Sequence, residues 1–153
     1  MSIAIGADEA AFDLKEKIKT HLIGLGYEVE DYGVYNRDPV LYPDVALAAC
    51  NDIAAGKHER GILICGTGIG MAISANKVPG IRAAVCHDPY SAERSRKSND
   101  CQVMTMGARV IGEELAKTLV NIWLQCDFAG GGSTAKVERI KQIEQEYHNK
   151  ALS

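Results

Sequence analysis

The stretch Gly61-Ile62-Leu63-Ile64-Cys65-Gly66-Thr67-Gly68-Ile69-Gly70 decides how this chain is read. An apolar run bounded by glycines is the pattern of a strand buried on both faces, as in a parallel sheet. The glycines at 66, 68 and 70 then let backbone N–H groups come close to an anion. A thiol at the carboxyl end of such a strand sits where open α/β sheets bind ligands.

Strands and helices alternate outward from this point. Residues 3–6 read as a first strand, followed by Asp8 as candidate N-cap of a helix carrying Phe12, Leu14, Ile18, Leu22 and Leu25. Residues 27–32 read as a second strand, 33–43 as a loop and 45–54 as a helix. Beyond the glycine turn, the pattern predicts a helix over 71–77, a strand over 81–85, a helix over 90–97 and a strand over 102–106. Amphipathic helices over 111–124 and 137–147 follow, separated by Gly130-Gly131-Gly132. This alternation predicts one α/β domain over 1–153 with a doubly wound, five-stranded parallel sheet and right-handed crossovers. The last helix, tethered by glycines, is free to pack on a partner subunit.

Composition narrows the function. A chain of 153 residues, 46% of them hydrophobic, is long enough for one packed core. A net charge of −3 gives no basic footprint, so nucleic acid is not an expected partner, while single cations remain for small anions. The N-terminus lacks a cationic leader pattern and no apolar stretch reaches membrane-span length, which predicts a cytoplasmic protein without membrane contact. The five cysteines include no C-x-x-C pair, and His21, His58, His87 and His148 are scattered. Neither a disulfide framework nor a metal is expected.

A free cysteine ending a buried strand commonly serves as a small apolar residue, and Cys50, Cys86, Cys101 and Cys126 fit that description. Cys65 differs because Gly66, Gly68 and Gly70 open the backbone beside it and Thr67 adds a hydroxyl. At the start of a helix, the dipole and unpaired N–H groups would favour a thiolate and also stabilise an oxyanion on a substrate. Base and oxyanion hole would share one turn. Nucleotide binding fits less well. Dinucleotide fingerprints follow the first strand and are answered by an acidic residue after the second, whereas here the turn follows the third strand and carries no Walker lysine.

The segment Ile64 to Gly70, with Ala75-Asn76-Lys77-Val78-Pro79-Gly80-Ile81-Arg82, closely resembles the ribose-5-phosphate isomerase B and galactose-6-phosphate isomerase family. The resemblance continues through Tyr42-Pro43, Asp88-Pro89-Tyr90-Ser91-Ala92, Asn99-Asp100 and residues 107–112. It implies a Rossmann-like three-layer αβα fold, a homodimer or homotetramer with interface active sites, a phosphosugar substrate, and no metal or cofactor. It also implies aldose–ketose isomerisation through a cis-enediolate, with Cys65 as the base. Gly66, Gly68, Ile69 and Gly70 would cradle the enediolate, Thr67 would assist, and Asp8, Tyr42 and Asn99 would contact the sugar.

The sequence departs from that family at informative places. Ser98 stands where members that open a sugar ring usually carry a histidine, and serine is a poor general acid. His87 is a candidate substitute, although a histidine near a strand end is more often a surface or capping residue. Glu9 replaces a usual histidine and could hydrogen-bond sugar hydroxyls, but would repel a nearby phosphate. Gly132-Ser133 and Lys136 replace the usual cations near the last helix, leaving Arg109 and Lys136 for phosphate. A tetrose 4-phosphate cannot close a furanose ring and needs no ring-opening acid. The Ser98-Asn99-Asp100 and 104–109 stretches resemble the branch that interconverts D-erythrulose 4-phosphate and D-erythrose 4-phosphate. Ribulose 5-phosphate/ribose 5-phosphate is the next reading. A hexose 6-phosphate, or a non-catalytic sugar-phosphate-binding subunit of a heteromer, is the alternative.

Overall fold

The computed structural model describes residues 1–153. Strands β1 (Ser2–Ala7), β2 (Glu28–Asp31), β3 (Arg60–Cys65), β4 (Ala83–Val85) and β5 (Val103–Gly107) alternate with helices. These are α1 (Phe12–Gly24), α2 (Tyr42–Ala54), α3 (Ile69–Ala75), α4 (Pro89–Lys97), α5 (Glu113–Gln125) and α6 (Ser133–Leu152). Every strand pair is parallel and the order is β2-β1-β3-β5-β4. This is the three-layer α/β sheet that the alternation predicts. The winding direction switches between β1 and β3, so Cys65 ends one of the two strands that flank the switch point.

Strand alternation distributes the core onto both faces. Ile3, Ile5, Ile62, Ile64, Met104 and Met106 pack with α1, α4 and α5 through Leu14, Ile18, Ala92, Leu119 and Trp123. Ala4, Leu63, Cys65 and Val103 point the other way, against α2 and α3 through Val45, Ala49, Ile53, Met71 and Ala75. Burial on both faces explains why β3 shows no polar alternation.

Two local expectations need correction. Helix α2 starts at Tyr42 rather than after the prolines, because Pro43 falls in its first turn, where its missing N–H is harmless. Asp8 is not a side-chain N-cap; the chain instead forms a 3-10 turn over Glu9–Ala11, and Asp8 makes no capping bond. The edge strand β4 is only three residues long.

Buried charges hold the loops that frame the sheet ends. Lys15, fully buried on α1, donates to both carboxylate oxygens of Asp31 at 3.0 and 2.7 Å and to the Val34 carbonyl. Burial acts to raise the Asp31 carboxyl, but hydrogen bonds from Lys15, Gly33 and Lys19 outweigh it and hold it below the usual carboxylate range. Arg60 and Arg96, both buried, converge on the Cys126 carbonyl and fix the segment leading to α6. No helix is long and apolar enough to cross a membrane.

Candidate active site

The residues singled out in the sequence form two groups at opposite ends of the sheet. Asp8, Glu9, Tyr42, Cys65 to Gly70 and Arg109 gather at the carboxyl ends of β1, β3 and β5. Ser98, Asn99, Gly132 and Lys136 lie at the amino ends of β4 and β5. There the Asn99 carbonyl accepts from Arg82 Nε at 3.2 Å, and Ala129 N–H donates to the Lys97 carbonyl at 3.1 Å. The five-residue length of β5 keeps the two groups roughly 13 Å or more apart within one chain.

In the first group, Cys65 is buried and its Sγ accepts a hydrogen bond from Gly68 N–H at 3.1 Å. Gly68 is left-handed at φ 80°, and a Cβ there would lie 2.8 Å from the Met106 carbonyl carbon. Only glycine turns the amide onto the sulfur in that space. Thr105 Oγ1 donates to the Gly68 carbonyl at 2.8 Å and holds the following peptide, so Gly68 is fixed on both sides. Thr67 is exposed, and its Oγ1 accepts from Ile69 N–H at 3.2 Å, which locks the turn at the start of α3. The Tyr42 ring lies directly over Gly70, where a Cβ would come within 2.4 Å of it.

Charge in this group is unevenly committed. Arg109 packs beside Gly66 and, alone among the chain's arginines, pairs with no carboxylate. Asp8 Oδ1 is buried without a hydrogen-bond partner. Burial, together with the neighbouring Glu9 charge, pushes the Asp8 carboxyl up; the Ala10 and Ala11 amides and Arg109 offset this only in part. Glu9 is otherwise engaged, since its Oε2 accepts Val40 N–H at 3.2 Å and fastens the loop before α2.

In the second group, Arg94 Nη1 donates to Ser98 Oγ at 3.2 Å, which leaves the serine proton free for an outside acceptor. Asn99, Arg82, Arg94, Ser91 and Ile140 line a cleft of about 470 Å³ between α4, β4 and α6. Lys136 lies in the first turn of α6, just after Gly132.

Three other cysteines are poor thiolates: burial pushes the Cys50 and Cys101 thiols up to about 12 and raises Cys86 as well. Spacing gave no hint that Glu30, Asp52 and His58 meet, because they come from β2, α2 and the loop before β3. Their bonds close internally through Tyr32, Ser2 and Lys57. Sequence reasoning also left Thr105 and Gly107 without a role. Gly107 backs the turn so closely that a Cβ would lie 2.6 Å from Thr67 Cα.

The chain is similar to known proteins along nearly its whole length. The chain is 58% identical over 153 residues to a D-erythrulose-4-phosphate isomerase of Pectobacterium atrosepticum, covering 97% of this chain and 99% of that one. It is 47% identical over 143 residues to the ribose-5-phosphate isomerase B of Escherichia coli, covering 94% and 96%. The solved structure of Clostridium thermocellum ribose-5-phosphate isomerase B superposes with a TM-score of 0.94 at 45% identity, covering 96% and 99%. Residues 3–143 match the Ribose/Galactose Isomerase family, and the chain belongs to that family.

Proposed function

We propose that this protein is a phosphosugar aldose–ketose isomerase in which Cys65 is the base. The observation that carries the reading is the Gly68 amide held on Sγ at the carboxyl end of a strand that flanks the switch point. The thiolate takes the C2 proton of the open-chain aldose. The C–H electron pair becomes the C1–C2 double bond and the carbonyl electrons move onto O1, giving a cis-enediolate. The thiol returns the proton to C1 as the O2 proton passes to O1. The amides of the 66–70 turn that are not bonded within it, with the Thr67 hydroxyl, stabilise the charge on the oxygens. Asp8, which is only partly buried, and Tyr42 contact sugar hydroxyls.

Arg109 serves the phosphate, and Ser98, Asn99, Gly132 and Lys136 come from a second copy of the chain. Their separation from Cys65 within one chain supports a homodimer, or a tetramer built from it, with sites at the interface. The apolar residues Ile140, Ile143 and Tyr147 exposed on α6 support the packing of that helix on the partner. Five free cysteines, all buried, suit the cytoplasm.

The favoured substrate pair is D-erythrulose 4-phosphate and D-erythrose 4-phosphate, supported by the 58% identity to an enzyme of that name. Ser98 fits a substrate that has no ring to open. The test compares kcat/KM for erythrose 4-phosphate, ribose 5-phosphate and allose 6-phosphate. The tetrose is expected to lead by about tenfold or more; a lead for either ring-forming sugar overturns the substrate assignment.

A further inference from the structure

The edge strand β4 stops at Val85, opposite Thr105 and two residues before its neighbour β5 ends at Gly107. Cys86 N–H still reaches the Thr105 carbonyl at 2.9 Å, but the chain then turns away into Asp88, the N-cap of α4. The next donor on β5, Gly107 N–H, therefore has no strand carbonyl opposite it. His87 supplies the missing acceptor: its Nε2 lies 2.9 Å from Gly107 N. A backbone amide can only donate, so Nε2 carries the lone pair and the ring proton sits on Nδ1. His87 thus completes the sheet as a side-chain acceptor.

The rung ends at the candidate site. Gly107 presses against Thr67 and Gly66, and the next two amides, Ala108 and Arg109, donate to the Cys65 and Gly66 carbonyls at 2.9 and 3.1 Å. The position of β5's last residue therefore sets the height of the turn that holds Sγ and the oxyanion amides.

The geometry points to His87 as a positioning residue for the isomerase site, acting through Gly107 on the 66–68 turn; this rests on the proposed isomerase function. It touches no reacting atom, so its effect belongs in the transition state, where a displaced amide costs most.

The test uses the full chain with His87→Ala and His87→Gln. Gln Oε1 lies as many bonds from Cα as imidazole Nε2 and restores an acceptor. Wild-type turnover of phosphosugars is measured first, because its absence overturns the isomerase reading itself. Given an active wild type, His87→Ala is expected to lower kcat about tenfold with KM changed less than about twofold. His87→Gln is expected to recover most of that loss. Faster hydrogen exchange of the Gly107 amide in His87→Ala than in His87→Gln checks the contact directly, and mild destabilisation of the alanine variant leaves the glutamine comparison intact. Wild-type kcat in His87→Ala, or a glutamine variant as slow as the alanine one, overturns the inference.

Discussion

The Gly68 amide donates to Cys65 Sγ across 3.1 Å, and Gly68 can do so only because its φ is 80° and no side chain separates it from the Met106 backbone. Sulfur and amide are thus locked together by the conformation of one residue.

Gly68→Ala tests that lock. A methyl group at 2.8–3.0 Å from Met106 backbone atoms must displace either strand or turn. Left-handed strain and the clash together should cost about 2–4 kcal/mol, read from chemical denaturation. Turnover of the folded fraction should fall by about 10²-fold as the amide leaves the sulfur. Unchanged activity in a stable variant would separate the turn from the chemistry.

Subunit complementation tests the split between the two residue groups. Cys65→Ala and Asn99→Ala homomers should each be impaired. If each site draws on two copies, random mixing after dissociation makes half the dimers hybrid, each with one intact site. Activity should then approach about one quarter of wild type. No recovery on mixing contradicts the shared site.

Asp8 should show the cost of an uncommitted carboxylate. A carboxyl raised in the folded state holds its proton more tightly there, so it destabilises the fold once ionised, and this penalty disappears below the ordinary carboxylate range. Asp8→Asn is therefore expected to raise Tm near neutral pH, with the gain fading as pH falls toward about 3. Its kcat/KM should drop by about tenfold or more if the carboxylate takes the sugar contact proposed for it. A Tm gain that does not depend on pH would point to packing instead.

Lys15→Met removes the fully buried one of the two lysines that pair with Asp31 and should cost about 3 kcal/mol at neutral pH. The Asp31 carboxyl is lowered in the folded state, so its contribution is present above its unfolded pKa and lost as pH falls through the folded one. The deficit of the variant should narrow in acid. Denaturant midpoints across pH check this.

Much of this architecture was legible in the sequence because period and punctuation agree locally. The apolar run at 62–65, the glycines after it and the stops at Gly24–Gly26 each specify one element without distant contacts. Boundaries set by a single residue were less legible: Pro43 opens α2 instead of delaying it, and Asp8 leads into a 3-10 turn rather than capping a helix. The strand order was not legible either, because nothing in β4 or β5 reveals that β5 pairs with β3. Within the site, Cys65 and its turn are contiguous and could be found. Thr105, Gly107 and His87 act across strands, by register, which no spacing along the chain encodes. The same reason hid the placement of Ser98 and Cys65 at opposite sheet ends.

Isotope exchange reads out proton transfer by Cys65 most directly. Aldose phosphate incubated in deuterated water with the wild-type enzyme should gain solvent deuterium at the exchanging carbon as ketose forms, followed by NMR. Cys65→Ala should keep its Tm and its substrate affinity while exchange falls by about 10³-fold or more. A folded Cys65→Ala enzyme that exchanges at the wild-type rate would mean that another group moves the proton.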